Sequence, residues 1–158
     1  MANIERSIDV NVPVRSAYNQ WTQFEEFPKF MEGVEEVRQL DDVTLHWKVK
    51  IGGTEREYQA RITEQLPDER IAWAAEGETD NAGVVTFHRL NDNTTRVMLQ
   101  VEYSATDIVE KAGSAVGVVD RRVKSDLERF KEFMEQRGSE TGEWRGTVGA
   151  KEGGLTGI

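Results

Sequence analysis

The chain has no cysteine, and only three prolines and two histidines in 158 residues. Without cysteine there are no disulfides, no zinc–thiolate sites and no thiol nucleophile. Positive charge is also short: 20 Lys and Arg stand against 29 Asp and Glu, a formal net charge of −9. Nucleic-acid binding needs clustered Lys and Arg, and an anionic membrane surface repels such a chain, so neither is an expected partner. No apolar run approaches the ~20 residues of a transmembrane helix, and the N-terminus enters an alternating pattern directly, with no signal-peptide pattern. The expected compartment is the cytoplasm, without stable membrane insertion.

Catalytic signatures are equally sparse. There is no Gly-x-Ser-x-Gly, and His46 and His88 fall out of phase with the apolar residues of their strands. Acidic pairs such as Glu25-Glu26 and Asp41-Asp42 stand at turns, and neighbours in an extended segment point to opposite faces rather than forming an acid/base dyad. Gly52-Gly53 reads as a hairpin turn; no helix follows it, so it does not cradle a phosphate. The sequence therefore carries no motif for a metal, a cofactor or a nucleophile, and whether it is an enzyme stays open at this level.

One long segment has helical periodicity, from Asp107 to Arg137. Ala112, Val116, Val119, Val123, Leu127, Phe130 and Met134 recur in steps of four and three, the stripe of a helix lying on a sheet. Asp107 with Glu110 resembles a capping box, and Gly138 sits where a helix stop belongs. The first half of this helix carries Ala112, Gly113, Ser114, Ala115 and Gly117, the second Leu127, Phe130, Phe133 and Met134. Two mid-helix glycines forgo about 2 kcal/mol relative to alanine. Either the small side chains leave room beneath the helix for a ligand, or they allow helix and sheet backbones to approach closely.

The remainder reads as strands. Residues 4–12 alternate, with Arg6 interrupting the apolar side; Pro13 opens a short helix to Trp21; a second short helix covers 25–31. Six further runs, 34–40, 44–51, 54–66, 70–76, 84–90 and 95–103, are separated by short turn signals, which favour antiparallel neighbours. Leu45, Trp47 and Val49 share a face, as do Tyr58, Ala60 and Ile62, then Ile71 and Trp73, then Val85 and Phe87, then Val97, Leu99, Val101 and Tyr103. These form the expected concave face beneath the long helix. Past Gly138, seven of the 14 glycines fall in the last 21 residues, which reads as a flexible tail over 138–158 after a domain of 1–137. Trp144 either docks on the body or a neighbouring molecule, or sits in solvent.

The overall expectation is an α+β fold: a curved seven-stranded antiparallel sheet, two short helices and a long C-terminal helix over an internal cavity. This order resembles the helix-grip fold. The specific resemblance is to the bacterial polyketide cyclase/dehydrase family, the coenzyme Q-binding START-like branch. It rests on Phe24-Glu25-Glu26-Phe27-Pro28-Lys29-Phe30-Met31 with Gly33-Val34, Ile51-Gly52-Gly53, Pro67-Asp68-Glu69-Arg70-Ile71-Ala72-Trp73, Gly83-Val84-Val85-Thr86-Phe87 and Asp126-Leu127-Glu128-Arg129-Phe130-Lys131. The resemblance implies a cavity for a lipid, quinone, polyketide or other hydrophobic small molecule. The expected ligand-binding set is Trp47, Tyr58, Trp73, Phe87, Tyr103, Ala112, Val116, Val119 and Val123; ordinary core packing accounts for the same aromatic residues.

Three functions compete: a carrier or sensor of a hydrophobic ligand, a cyclase/dehydratase using cavity arginine and tyrosine groups, and a protein-interaction module working through the outer sheet face or the Trp144 tail. Converging ionisable groups inside the pocket favour the enzyme. Asp120, Arg122 and Asp126 border the helical stripe, facing either the cavity rim or solvent, and Asp120 with Lys124 has the spacing of a plain i,i+4 pair. Oligomeric state is not legible.

Overall fold

The computed structural model describes residues 2–51, 53–75, 81–103 and 115–148; at Ala2, Ile51, Thr54, Asn81, Tyr103 and residues 115–119 the description covers the backbone alone. The order is β1 (Ala2–Val10), α1 (Val14–Trp21), a 3-10 helix (Phe24–Lys29), β2 (Val34–Gln39), β3 (Thr44–Ile51), β4 (Thr54–Leu66), β5 (Arg70–Ala75), β6 (Asn81–Asn91), β7 (Thr94–Tyr103) and α2 (Ala115–Arg137). Pro13 is the residue before α1 rather than its first residue. The second short helix is 3-10, with Pro28 inside it.

The seven strands form one antiparallel sheet in the order β1-β7-β6-β5-β4-β3-β2, curled into a half-barrel. Consecutive strands from β2 to β7 are neighbours because their connections are short, and β1 adds at the far edge beside β7. The pairing is irregular between Val34 and Glu36, Ile62 and Glu64, and Arg89 and Asn91. Such bulges add an unpaired residue to one strand and bend it, which helps curl the sheet.

Register puts the alternating apolar residues opposite one another: Leu45 with Ala60, Trp47 with Tyr58, Ile62 with Trp73, Val85 with Leu99 and Phe87 with Val97. One face is thus continuously apolar across five strands. The second half of α2 covers it with Val123, Leu127, Phe130 and Met134, all buried. Trp21 is the hub of this packing, with ring centroids 5.6 Å from Phe27, 6.3 Å from Phe87 and 5.0 Å from Phe130. Phe30 adds contacts to Phe130 and Phe133, each at 5.3 Å. Here aromatic rings from α1 and the 3-10 helix fill the space between sheet and helix. Gly138 ends α2 with φ of 78°, its N–H reaching the Met134 carbonyl at 2.8 Å. The predicted helix start, with Asp107 and Glu110, lies outside the described residues.

Two expectations are corrected. Asp120 does not serve mainly as a partner of Lys124: both its carboxylate oxygens accept from Arg6 of β1, at 2.8 and 2.7 Å. Arg6 lies opposite Leu99, on the inner face, which explains the charged residue in an apolar register. The tail from Glu140 to Val148 packs on the body instead of extending into solvent. The Asn19 amide donates to Glu140 at 2.9 Å, and its oxygen accepts from Arg145 at 2.5 Å. The Gln20 side chain bonds Thr141 in both directions, at 3.0 and 2.8 Å. Arg145 also pairs with Asp68 at 2.8 Å and lies over the Tyr18 ring, and Val148 exchanges backbone hydrogen bonds with Gln65. The reason is polar: Asn19 and Gln20 are wholly buried, and this segment completes their hydrogen bonding.

Candidate functional site: a cavity between sheet and helix

Beside the aromatic hub, toward the start of α2, the packing opens into a cavity of about 180 Å³. Its walls come from the 3-10 helix and the turn after it (Phe24, Phe27, Met31, Gly33), from the inner face of β2 to β5 and β7, and from α2 through Arg122, Val123 and Asp126. At roughly 24 cal/mol per Å³ a void this size costs about 4 kcal/mol if left empty. That is a large fraction of an ordinary domain's stability, about 5–15 kcal/mol.

Of the sequence-predicted ligand residues, Trp47, Tyr58, Trp73 and Val123 line this cavity. Trp47 and Tyr58 are register partners with rings parallel to within 6°, centroids 6.4 Å apart. Trp73 lies across Gly83 of the neighbouring strand: a Cβ there would stand 2.4 Å from Trp73 Cζ2, so this approach requires glycine. Phe87 is placed differently. It is buried in the aromatic hub at 5.4 Å from Tyr18 and is not among the described lining residues. It sits on the β6 stretch facing α1, whose rings occupy the space in front of it. The side chains of Tyr103, Val116 and Val119, and the whole of Ala112, lie outside the described residues.

The polar groups on this wall were only partly legible. Trp47 Nε1 is buried and has no hydrogen-bond partner among the described residues. Arg122 and Asp126, one helical turn apart, are the charged side chains among the described lining residues. Gly33 makes room for the arginine: a Cβ at Gly33 would lie 3.0 Å from Arg122 Nη1 and 3.2 Å from the Lys50 carbonyl oxygen. Burial pushes the Asp126 carboxyl up to about 7, against the opposing pull of Arg122 and of a hydrogen bond from the Glu32 backbone N–H. Its Oδ1 is buried without a hydrogen-bond partner among the described residues. The signal for this pair was its position directly before the stripe residues Val123 and Leu127. That places 122 and 126 on the flank of the buried face, where either orientation is open.

An apolar chamber with one ionisable corner can enclose a hydrophobic molecule and orient its polar end. His46 and His88 take no part. His46 Nε2 lies 3.0 Å from Glu57, and His88 is exposed beside Thr86. Among the described residues no helix is long and apolar enough to cross a membrane.

Comparison with known proteins places this architecture. An uncharacterized 17.2 kDa protein of Streptomyces lincolnensis, from the melC2-rnhH intergenic region, is 55% identical over 149 residues, covering 94% of this chain and 99% of that one. Among solved structures, the Zhui aromatase/cyclase of a Streptomyces species superposes with a TM-score of 0.74 at 16% identity, covering 90% of this chain and 99% of that one. A START superfamily protein from Mycobacterium smegmatis gives 0.69 at 12% identity, covering 84% and 98%. At such identities these likenesses speak for the fold. The family model for polyketide cyclase/dehydrase and lipid transport matches residues 10–132, most of the chain, and the protein belongs to that family.

Proposed function

We propose that this protein binds a hydrophobic small molecule in the cavity between sheet and α2, as a carrier or sensor. The observation that carries this reading is the cavity's make-up: three tryptophans, two phenylalanines and aliphatic side chains surround a space that is costly to leave empty. Family membership supports the same reading, since lipid transport and polyketide chemistry both handle apolar molecules. Native mass spectrometry of protein produced in its own host tests it. The expected result is a mass above that of the chain, returning to the chain mass on denaturation, with the released compound soluble in organic solvent. A bare chain mass under the gentlest desolvation would count against it.

A second reading has a specific observation in its favour. Arg122, Asp126 and Tyr58 all border the cavity, and a carboxyl near neutrality is suited to proton transfer at neutral pH. In a cyclase or dehydratase, Arg122 would polarise a carbonyl and Asp126 would move the proton. The aromatase/cyclase among the structural neighbours fits this reading. It requires that Asp126→Asn abolish turnover while leaving ligand affinity largely intact.

A further inference from the structure

The described lining of the proposed ligand cavity is mostly apolar, and its charged side chains, Arg122 and Asp126, stand one helical turn apart. We infer that this pair receives the carboxylate of a small apolar acid, with Arg122 as the charged partner and Asp126 as the hydrogen-bond donor beside it. This rests on the binding reading above and adds the ligand's class.

Arg122 carries a charge that its surroundings match only loosely. Its ion pair with Glu32 is 3.9 Å long, whereas Glu32 lies closer to Arg129, at 3.2 Å, and is itself largely exposed. The guanidinium lies close against Gly33, where a Cβ would stand 3.0 Å from Nη1, and forms part of the cavity wall. A permanent positive charge bordering an apolar chamber favours an anion that brings its own apolar body.

Asp126 fits the same ligand. Its Oδ1 is buried without a partner among the described residues, and the carboxyl is pushed up to about 7. The charged groups that act on it are Arg122 and Arg129 of its own helix and Glu32 from the connection before β2. Across the cavity the other titratable lining side chain described is Tyr58 of β4. An incoming carboxylate raises the carboxyl further, because two adjacent anions repel. Asp126 then takes up one proton and donates it in a hydrogen bond to the ligand, while Arg122 balances the remaining negative charge. A cation would find Arg122 repulsive, and a neutral molecule would leave that charge as loosely paired as before.

The volume sets the size of the body. A cavity of about 150 Å³ holds benzene, so 180 Å³ suits one ring or two fused rings. Trp47 also lines the cavity, and its indole Nε1 lacks a hydrogen-bond partner among the described residues.

The test uses the full chain and three probes of nearly equal shape: 2-naphthoate, 2-naphthamide and 2-naphthylmethylamine, titrated calorimetrically at pH 6 and pH 8. The expected order at pH 6 is naphthoate first, by roughly tenfold or more over the amide, as a charge-assisted hydrogen bond implies. With Asp126 near 7, its protonated fraction falls about tenfold from pH 6 to pH 8, and naphthoate affinity falls with it while the amide's stays level. Arg122→Gln should remove the preference for naphthoate and keep amide binding, which also shows that the variant is folded. Asp126→Asn should bind naphthoate without the pH dependence. Equal affinities, the amine binding most tightly, or a preference that survives Arg122→Gln would overturn the carboxylate assignment alone. Failure of all three probes to bind would overturn the cavity reading with it.

Discussion

Asp126 shows how a single side chain links stability to the site. Its folded carboxyl, near 7, lies above the ordinary value of 3.8, so the folded state holds the proton more tightly than the unfolded one. Stability therefore falls as pH rises from about 4 to about 7 and levels off above. The fall amounts to about 4 kcal/mol at most for a shift of this size. Asp126→Asn should flatten that part of the profile in urea denaturation, and parallel profiles for the two proteins would show that the carboxyl is not burdened by burial. Gly83 is the second telling residue. Gly83→Ala would drive a methyl into the Trp73 indole, and we expect a loss of about 1–3 kcal/mol with a weaker grip on any cavity ligand. At this scale the alternation of Trp47, Tyr58 and Trp73 was readable, because strand parity alone assigns a face. The roles of Arg122 and Asp126 were not, because they depend on Glu32 and Gly33, which lie about 90 residues away in the chain.

Among the elements, α2 was the most legible, since its stripe, its glycine stop and its buried second half all follow from spacing. The tail was the least legible. Its glycine content suggests mobility, yet Glu140, Thr141 and Arg145 meet the side chains of Asn19 and Gln20, which no periodicity marks as buried polar residues. Truncation after Gly138 should therefore destabilise the domain by about 2–4 kcal/mol, a few net hydrogen bonds' worth. The check is the midpoint of urea unfolding, and an unchanged midpoint would return this segment to the status of a loose tail. Arg6 and Asp120 make a comparable long-range link, tying β1 to α2 near the cavity. Arg6 holds the Asp120 carboxyl below the usual carboxylate range. Sequence spacing pointed to Lys124 because it sees only neighbours along one helix.

For the whole molecule, the half-barrel sheet and the helix across it leave a chamber because the aromatic hub fills only one end. Trp21, Phe30 and Phe130 close the side under the second half of α2, and the other side stays open to Trp47 and Trp73. That a chamber lies beneath Trp47, Tyr58 and Trp73 accords with their shared inward face, whereas the small residues 112–114 lie outside the described residues. Its size was not foreseeable, because volume depends on how rings tilt rather than on which rings are present. The four tryptophans give a direct reading of where a ligand goes: Trp21, Trp47 and Trp73 line the cavity, whereas Trp144 sits in a separate groove with Phe24, Gln39 and Asp41. The decisive measurement is a titration with the host-extracted compound or 2-naphthoate, followed through the indole N–H resonances in a proton–nitrogen correlation spectrum. The Trp47 and Trp73 signals should shift together and saturate while Trp144 stays in place. Movement of Trp144 with Trp47 and Trp73 unmoved would put the ligand outside the cavity and contradict this account.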